Sequence, residues 1–446
     1  MDTRRVAEFK NRVAGEVVVP DSPAYTTLRN VFNQTGSPSV IVRAQNHDDI
    51  VAAIRFAREQ HLKLSVRSGG HGSSGLATNN GGLVIDLTFF NQVELLDPEH
   101  HLVRIGSGAH WGDVAKALSE SGLAISSGDT NQVGVGGLTL GGGIGWMVRK
   151  YGLTIDSLIA AELVTADGRT LRVSAQEHPD PFWAIRGGGG NFGVVTSFDF
   201  QAHPCKTVVG GTVVYDPAEA ESVLTAWASS MREAPEELNA SIVLFPGFGP
   251  QVPSAIMVHL CYAGDDGAAA NEAMKPLLHL GTVRSQDIQK KPYYAMLEDA
   301  VMPPGVKLAG HDGFLKTLSK EAISVIATHY GKPGTPMLQI RSLGGAMARV
   351  SPQATAFAHR ENEALAVLVA FAPSNATEEQ MHHIRQAAWH PLESLTNGAY
   401  INFLSDASPA SVAAAYPSAT YARLASIKAI YDPDNVFNQN QNIKPA

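Results

Sequence analysis

Cysteine is scarce in this sequence. Only Cys205 and Cys261 occur among 446 residues. Neither belongs to the closely spaced pairs that hold zinc or perform redox exchange, and two cysteines do not make a disulfide framework. We therefore predict no metal site and no disulfide framework. The length exceeds the size at which a single core keeps growing, which predicts at least two lobes.

Long apolar runs and clusters of positive charge are also missing. No apolar segment approaches the roughly 20 residues that span a bilayer, and residues 1–10 lack the basic-then-apolar pattern of a secretory signal. The formal net charge is -8, and no basic run is interleaved with aromatic residues. We accordingly expect a cytoplasmic protein that binds neither membrane nor nucleic acid.

Glycine, in contrast, is abundant and concentrated behind two similar strand-helix-strand units. The first unit covers residues 39–66, with a helix capped by Asn46, and leads into the glycine-rich stretch 68–75. The second covers residues 102–126 and leads into the glycine-rich stretch 128–145. Because glycine costs up to about 1 kcal/mol per residue in a helix, this density predicts two loops whose backbone approaches another group closely.

The pattern of apolar residues divides the chain into lobes. Residues 1–205 are predicted to form one domain of two α/β subdomains, roughly 1–98 and 99–205. Residues 206–399 alternate long strands with helices, which predicts a mainly antiparallel sheet backed by helices. Residues 400–446 are predicted to return to the first domain. The expected fold class is therefore α+β, in two lobes.

The first glycine loop contains a histidine. The segment 67–72 reads Arg-Ser-Gly-Gly-His-Gly and follows directly on a predicted strand. Glycines in that place let consecutive backbone N–H groups turn toward a diphosphate. Taken by itself, His71 is more often an ordinary hydrogen-bonding loop residue than a covalent attachment point, so both interpretations stay open on this segment alone.

A third glycine-rich segment, residues 188–193, satisfies the GxGxxG pattern of dinucleotide sites. That pattern has its meaning only where it follows a strand and opens a helix. Here it follows a predicted helix and leads into the strand that begins at Val194. The order of elements therefore excludes a Rossmann-type NAD site.

Five segments, spread over both ends of the chain and in the same order, resemble the FAD-linked oxidases of the p-cresol methylhydroxylase and berberine bridge enzyme family. They are VRSGGHGSSG at 66–75, VGVGG at 133–137 with GGGIG at 141–145, FWAIRGGG at 182–189, NFGVVT at 191–196, and the stretch from YDP at 431 to residue 443. The resemblance implies a two-lobed FAD-binding fold of the p-cresol methylhydroxylase type, with a substrate lobe on an antiparallel sheet. It also implies FAD bonded covalently, through its 8α-methyl group, to His71.

The same resemblance implies a set of cofactor-binding residues in two glycine loops, one strand and the C-terminal tail: Arg67, Ser68, Gly69, Gly70, His71, Gly72, Gly75, Thr130, Val133, Gly134, Gly137, Leu138, Gly141, Gly142, Val195, Asn440 and Asn442. Many relatives add a second bond from a cysteine in the second loop, where this chain has Thr130. The resemblance therefore implies a single covalent link. Val133, beside the position implied for oxygen access, is similar to the small residue of true oxidases and indicates molecular oxygen as acceptor.

The sequence departs from the family at the catalytic base. Relatives that oxidise sugars or cyclise phenols carry a tyrosine base in a Tyr-x-Asn-Tyr motif, whereas residues 400–403 here read Tyr-Ile-Asn-Phe. Phe403 cannot accept a proton. Hydride transfer from an alcohol needs a base, but a neutral amine has its own lone pair to assist. In this respect the chain is similar to the bacterial 6-hydroxy-D-nicotine oxidase-like members of the family.

The candidate catalytic residues are Gln339, Arg341, Tyr400 and Asn402. Strand alternation places Gln339 and Arg341 on one face with Met337. If that face lines a pocket, Arg341 suits an anionic or carbonyl-bearing substrate; otherwise it is an exposed surface residue. Tyr400 is either a pocket hydroxyl or a packed aromatic side chain.

Together these features predict an FAD-dependent oxidase. It would take hydride from a C–H bond of a small-molecule amine or alcohol and pass the electrons to oxygen, forming hydrogen peroxide. Two other interpretations stay open. One is a biosynthetic flavin oxidase that performs a cyclisation, dehydrogenation or oxygenation, and the other is a flavin-binding protein without turnover.

Overall fold

The structure, a computed structural model, describes residues 3–300 and 305–446. It is an α+β fold in two lobes, which confirms the predicted class. No helix in these two ranges is both long enough and apolar enough to cross a membrane.

The first sheet follows from the first strand-helix-strand unit. Its region contains α1 Thr3–Lys10, β1 Glu16–Val18, α2 Tyr25–Leu28, β2 Asn30–Val31, β3 Gln34–Thr35, β4 Val40–Arg43, α3 His47–Glu59, β5 Leu64–Arg67, β6 Leu83–Asp86 and β7 Val93–Asp97. Strands β4, β6 and β5 are parallel neighbours, and β1 is antiparallel at the edge. Asn46 caps α3 by accepting a hydrogen bond from the Asp49 N–H, 3.0 Å away, as predicted. Strand β5 ends where the histidine loop begins.

The second sheet lies beside the first and has the order β11-β10-β12-β8-β7. Its region contains β8 Leu102–Gly106, α4 Trp111–Ser119, β9 Leu123–Ala124, α5 Val135–Gly141, α6 Val148–Tyr151, a 3-10 turn Thr154–Asp156, β10 Leu158–Val164, β11 Thr170–Ser174, α7 Pro179–Ile185, β12 Val194–Gln201 and β13 His203–Pro204. Helices α4, α5 and α7 share one apolar core with this sheet.

The second glycine-rich stretch is not wholly a loop, and the prediction was wrong for its middle. Residues Val135–Gly141 form α5 although three of the seven are glycine. Val135 and Leu138 are buried in the core shared with Trp111. Burial of these side chains outweighs the poor helix propensity of glycine, a tertiary effect that local sequence does not reveal. Loops remain on both sides of the helix.

The third sheet has the order β17-β14-β16-β15-β19-β20-β18, and every neighbouring pair in it is antiparallel, as predicted. Its region contains β14 Val208–Tyr215, α8 Ala220–Glu233, β15 Leu238–Phe245, β16 Ala255–Tyr262, α9 Gly267–Met274, β17 Val283–Lys291, β18 Val306–Leu315, α10 Lys320–His329, β19 Met337–Ser342, α11 Ala346–Arg349, β20 Ala364–Pro373 and α12 Glu378–Trp389, with 3-10 turns Pro217–Glu219, Lys275–Leu278, Tyr293–Met296 and His390–Leu392.

The two faces of this third sheet differ in chemistry. One face is apolar and is covered by α8, α9, α10 and α12. On β19, alternate residues Met337, Gln339 and Arg341 are half-buried, while Leu338 and Ile340 are buried in the helix-covered core. The predicted alternation of β19 is therefore confirmed, and the polar side chains lie on the face away from the helices.

Strand β18 is the edge of the third sheet, and its free side is covered by residues distant in sequence. The backbone of Leu308 exchanges two hydrogen bonds, of 2.9 and 3.0 Å, with the side chain of Asn33. Gly310 N–H donates to Ser405 Oγ at 2.9 Å. Phe314 pairs through its backbone with Asn397. An exposed edge of this length would invite pairing with other chains, and these contacts prevent it.

The C-terminal residues pack against the first lobe. Helices α13 Pro409–Ala415 and α14 Ser418–Tyr431 contribute to the core of the second sheet. The buried ammonium group of Lys428 lies 2.9 Å from Asp432 and donates to the carbonyl oxygens of Asn191 and Phe437. A buried charge paired and bonded in this way is expensive to disturb, so it holds the tail beside the loop at Asn191.

Candidate functional site

The two glycine loops touch through their backbones. A Cβ atom added to Gly69 would lie 2.5 Å from Gly134 N and 2.7 Å from Gly134 Cα. Both residues must therefore be glycine for this approach. Ser68 joins the loops further: its hydroxyl donates to Ser107 O at 2.5 Å and accepts from Gly136 N–H at 3.1 Å. Both predicted loops thus belong to one site.

His71 lies in the first loop with its ring stacked on Phe32, the ring centroids being 4.1 Å apart. Its Nε2 atom is buried and has no hydrogen-bond partner among the described residues. Burial lowers the pKa of the imidazole, and the nearby Asp129 carboxylate only partly opposes this. The ring is therefore neutral at pH 7, with a nitrogen lone pair available for bonding.

The other residues of the first loop have distinct roles. Arg67 is buried and paired with Asp86, and it also donates to Leu28 O at 2.5 Å, so its guanidinium group is already engaged. Gly70 and Gly75 have φ values of +65° and +69°, which side chains rarely tolerate. A Cβ at Gly72 would meet only Ser74 Oγ, at 3.8 Å. The loop therefore leaves open space at Gly72.

Val195, predicted to contact the cofactor, is a core residue of β12. Its side chain is buried in the core of the second sheet, and its carbonyl oxygen accepts from Ser107 Oγ at 2.6 Å. Because the carbonyl oxygen of Ser107 also accepts from Ser68, Ser107 connects β12 to the first glycine loop.

Arg341 is not an exposed surface residue. Its guanidinium lies 2.5 Å from Asp129, which precedes Thr130 in the second glycine stretch, and only 13% of its side chain is exposed. It also donates to Gln339 Oε1 at 3.1 Å and lies 4.9 Å from the centroid of the Phe403 ring. Burial opposes ionisation of Asp129, but Arg341, with the hydroxyl of Thr130, outweighs it and lowers the pKa of the carboxyl group. The pair therefore bridges the glycine stretch and the third sheet.

Tyr400 and Asn402 clamp the second glycine stretch. The Tyr400 hydroxyl accepts from Gly143 N–H at 2.8 Å and from the Asn402 amide at 2.7 Å. The same amide donates to Leu138 O at 3.0 Å. A Cβ at Gly141 would lie 2.6 Å from Asn402 Cγ, so a larger residue here would displace the Asn402 amide. Burial raises the pKa of Tyr400 to about 12, which keeps the phenol protonated.

Sequence reasoning missed Asp312. This residue of β18 is completely buried, its Oδ1 accepts the Tyr400 N–H at 2.5 Å, and its Oδ2 has no partner among the described residues. Burial raises the pKa of its carboxyl group to about 8. A signal was present, since Asp312 is the acid in a strand whose neighbours are otherwise mostly apolar or glycine.

His259 was also missed. It shares a cross-strand row with Arg341, because Ser241 is in register with both. Its Nδ1 lies 2.9 Å from the hydroxyl of Thr212, and burial lowers the pKa of the imidazole. This row gives the face of the third sheet a continuous polar band.

A small cavity opens between this band and the second glycine stretch. It has a volume of about 10 Å³, the room for roughly one water molecule. Its walls are formed by Asp129, Ile144, Gly145, Trp146, Asn239, Ala240, Ser241, Arg341 and Ser342. Carboxylate, guanidinium, amide and hydroxyl groups in these walls provide both donors and acceptors.

The C-terminal tail completes the surroundings of the glycine loops. Asn440 donates its amide to Gly190 O at 3.0 Å. The Oδ1 atoms of Asn440 and Asn442 are buried and have no partner among the described residues. A Cβ at Gly137 or Gly190 would meet nothing within 4 Å.

These features fit a large ligand with several hydrogen-bonding groups. Buried acceptors without partners, here the amide oxygens of the tail, are rare in folded proteins and call for a donor. The ribose hydroxyls and adenine amino group of FAD are such donors, and the glycine N–H groups suit its diphosphate. The unpartnered nitrogen of His71 suits attachment. The residues present therefore fit FAD.

The two cysteines do not contribute to these loops. Cys205 and Cys261 are buried in a separate core with Trp146 and Tyr293. Burial raises the pKa of the Cys205 thiol to about 11 and that of the Cys261 thiol further still. Neither supplies a thiolate near neutral pH.

Two protein families match the chain, and they match the regions that carry the site. Residues 38–174, which include both glycine loops, match the FAD binding domain family. Residues 399–444, which include Tyr400, Asn402 and the tail asparagines, match the berberine and berberine-like family.

Individual relatives match over nearly the full length. An uncharacterised FAD-linked oxidoreductase of Bacillus subtilis strain 168, YgaK, is 32% identical, over 98% of this chain and 98% of that protein. The (R)-6-hydroxynicotine oxidase of Paenarthrobacter nicotinovorans is 30% identical, over 97% of each. The crystal structure of 6-hydroxy-D-nicotine oxidase from Arthrobacter nicotinovorans superposes with a TM-score of 0.85 and 29% identity, over 97% of this chain and 98% of that one.

Proposed function

This chain belongs to the family of FAD-linked oxidoreductases with a berberine-like C-terminal segment, and from that premise we propose that it is an amine oxidase with FAD bonded once, through His71. The substrate would be a small-molecule amine with a C–H bond next to its nitrogen. Oxidation removes two electrons and two hydrogens from that C–N unit, and molecular oxygen takes them up as hydrogen peroxide.

The state of His71 supports a covalent link. Its imidazole is neutral and has a buried nitrogen without a partner. The relatives with a second link use a cysteine where this chain has Thr130, and the hydroxyl of Thr130 is engaged with Asp129 at 3.0 Å. Both thiols of the chain are buried elsewhere. One bond is therefore the expected number.

When bound, FAD would supply the hydride acceptor and, once reduced, the electron donor for oxygen. The protein's own residues would hold the cofactor and orient it toward the substrate. The two glycine loops would bind the diphosphate through their N–H groups, and Asn440 and Asn442 would close over the cofactor from the tail. Tyr400 and Asn402 fix the second glycine stretch from the side of the third sheet.

The observation that favours an amine over an alcohol is that Tyr400 and Asp312, near the second glycine stretch, keep their protons. The residue after Asn402 is phenylalanine, and the Tyr400 phenol keeps its proton because burial raises its pKa to about 12. Asp312 keeps its proton at pH 7 because burial raises its pKa to about 8. Neither group accepts a proton at neutral pH, so neither can act as the base that oxidation of an alcohol requires.

The covalent link is tested by acid denaturation of the purified protein, followed by gel electrophoresis, flavin fluorescence and intact mass measurement. We expect the polypeptide to carry one FAD that survives denaturation. The His71→Ala variant should lose it, because the Thr130 hydroxyl is engaged with Asp129 and both thiols are buried away from the loops.

His110→Ala is the matched control, because His110 lies close enough to influence the pKa of His71 but has 44% of its side chain exposed. This variant should keep acid-stable flavin. Fluorescence that stays with the His71→Ala polypeptide would show that the attachment residue is wrong.

The substrate class is tested by the pH dependence of flavin reduction. Under anaerobic conditions, a series of amines with different pKa values is mixed with the enzyme, and bleaching of the flavin is followed. Only the neutral amine has a free lone pair, so kcat/KM should rise with pH through the pKa of each amine and the midpoint should move with the substrate.

Alcohols of matching shape serve as the control and should leave the flavin oxidised. A midpoint that stays at one pH for every amine would instead indicate a base on the enzyme. His259, the neutral imidazole in the polar band, would then be the first residue to replace.

A further inference from the structure

Asp312 is an ionisable residue at a position where packing alone would favour an apolar side chain. It lies on an edge strand among side chains that form an apolar core, yet it is completely buried and carries an oxygen with no partner. A lone buried carboxyl group costs several kcal/mol of solvation if ionised. Groups of this kind in native proteins are candidates for a role beyond packing.

The face on which Asp312 lies is defined by its neighbours in β18. Gly310, Asp312 and Phe314 alternate onto the face away from the helices. A Cβ at Gly310 would contact Ser405 Oγ at 2.9 Å, and Phe314 pairs with Asn397. Asp312 therefore faces residues 397–405, the segment that carries the clamp of the second glycine stretch.

Its neighbours across the sheet do not ionise. Val367 lies directly opposite Asp312 in β20, and Gln339 lies beyond it in β19. The next residue along β18, His311, points to the helix-covered face and stacks on Trp389, with ring centroids 4.5 Å apart. Burial lowers the pKa of His311, so it is neutral at pH 7.

The charged groups on the other elements packed near Asp312 do not offer it a counter-charge. The positive charge of Arg341 favours ionisation of the Tyr400 hydroxyl, but Arg341 is already paired with Asp129. His359, which stacks on Phe314 beside Asn397, is neutral because burial lowers its pKa. Among the described residues, the only group that favours the ionised form of Asp312 is the backbone N–H of Tyr400.

We propose that Asp312 is a positioning residue for the proposed oxidation, because its carboxyl group holds the Tyr400 backbone and thereby sets where the Tyr400 hydroxyl and the Asn402 amide stand against the second glycine stretch. The contacts form one continuous path. Asp312 Oδ1 accepts from Tyr400 N–H at 2.5 Å, the Tyr400 hydroxyl accepts from Gly143 N–H, and Asn402 donates to Leu138 O. The proposal rests on the proposed function, since that stretch is where the cofactor would lie.

The neutral form of the carboxyl group is the one that suits this role. At pH 7 it holds the Tyr400 backbone without an uncompensated buried charge. Ionisation above pH 8 would leave a buried charge whose partner among the described residues is the Tyr400 N–H, and the cost of keeping that charge from water would shift Tyr400 and with it the clamp. The protonation state of the Asp312 carboxyl group would therefore affect the flavin through the position of Tyr400.

The first measurement is stability against pH. The carboxyl group titrates near 3.8 in the unfolded chain and near 8 in the folded protein, so the folded state holds the extra proton between these values. Its contribution to stability is fully present below the lower value and is lost as pH rises toward the upper one. Asp312→Asn keeps an acceptor for Tyr400 N–H but cannot ionise. The melting temperature of this variant relative to wild type should increase from pH 5 to 8 and then level off.

The second measurement uses the flavin of the holoprotein. Its absorption spectrum and reduction potential should show a step centred near pH 8 in the wild type and none in Asp312→Asn. Tyr400→Phe keeps the backbone N–H and loses the hydroxyl contact with Gly143. It should retain the wild-type stability profile while the flavin step disappears, which a purely structural role for Asp312 does not predict. Asp113→Asn, at a side chain 83% exposed on α4, is the control and should retain both responses.

The outcomes separate this inference from the proposed function. A protein without flavin would contradict the proposed function, and the stability profile would still decide whether Asp312 titrates as described. A flavin step near pH 8 that persists in Asp312→Asn, or that is absent from the wild type, would overturn the inference. If Asp312→Asn does not fold, the comparison of wild type with Tyr400→Phe decides: a flavin step that survives in Tyr400→Phe also overturns it.

Discussion

At the scale of single residues, the site depends on which charges are already paired. Arg341 was a candidate for binding an anionic substrate, but its charge is neutralised by Asp129, and its side chain also contacts Gln339 and the Phe403 ring. This arrangement suits an uncharged substrate form and agrees with a neutral amine as the reacting species. The sequence predicted Arg341 and Gln339 as neighbours on one face. It did not reveal Asp129, because the partner lies 212 positions away along the chain.

The Arg341–Asp129 pair gives a prediction about stability. Arg341→Gln leaves a largely buried carboxylate without its cation, and we expect the free energy of unfolding to fall by at most the roughly 3–5 kcal/mol found for buried pairs. Asp129→Asn added to Arg341→Gln removes the unpaired charge and should restore part of the loss. Urea unfolding of the four proteins in this double-mutant cycle measures the coupling. Additive effects of the two changes would mean that the ion pair contributes nothing.

At the scale of elements, the local sequence predicted those helices and strands that local interactions determine. The cap at Asn46, the alternation in β19 and the antiparallel third sheet follow from side-chain chemistry and apolar spacing. Helix α5 does not, because its formation depends on Val135 and Leu138 packing into a core assembled from distant segments. The glycines of this region are then explained by the space around them rather than by flexibility: Gly134, just before the helix, meets the first loop, and Gly137 within it faces open space.

Gly137 allows the cofactor cradle to be tested independently of folding. It is exposed on α5, and a Cβ there would meet nothing within 4 Å, so Gly137→Ala should leave the apoprotein intact or stabilise it by up to about 1 kcal/mol. If this open space receives the cofactor, the same methyl group should sharply reduce flavin incorporation. Gly267→Ala in α9, which also meets nothing within 4 Å, is the matched control. Normal flavin content in Gly137→Ala would place the cofactor elsewhere.

At the scale of the whole molecule, the sequence predicted the class, the two lobes and the order of the glycine motifs, because these repeat a pattern read along the chain. The contacts that assemble the site join positions far apart. The backbone of Gly69 meets that of Gly134, and the Asp312 carboxyl group meets the Tyr400 backbone, and no local periodicity encodes either contact. Contacts of this kind depend on the tertiary arrangement of distant segments.

The covering of β18 has a consequence for biosynthesis. The free edge of this strand is closed by Asn33, synthesised early, and by Asn397 and Ser405, synthesised late. While the chain emerges from the ribosome, the part of this edge that Asn397 and Ser405 cover therefore stays unprotected until residues 397–405 have been made, and an unfinished chain with a free strand edge is prone to aggregate. A truncation before residue 397 should thus leave a chaperone-dependent product, and flavin incorporation should begin only after residues 397–405 have been added.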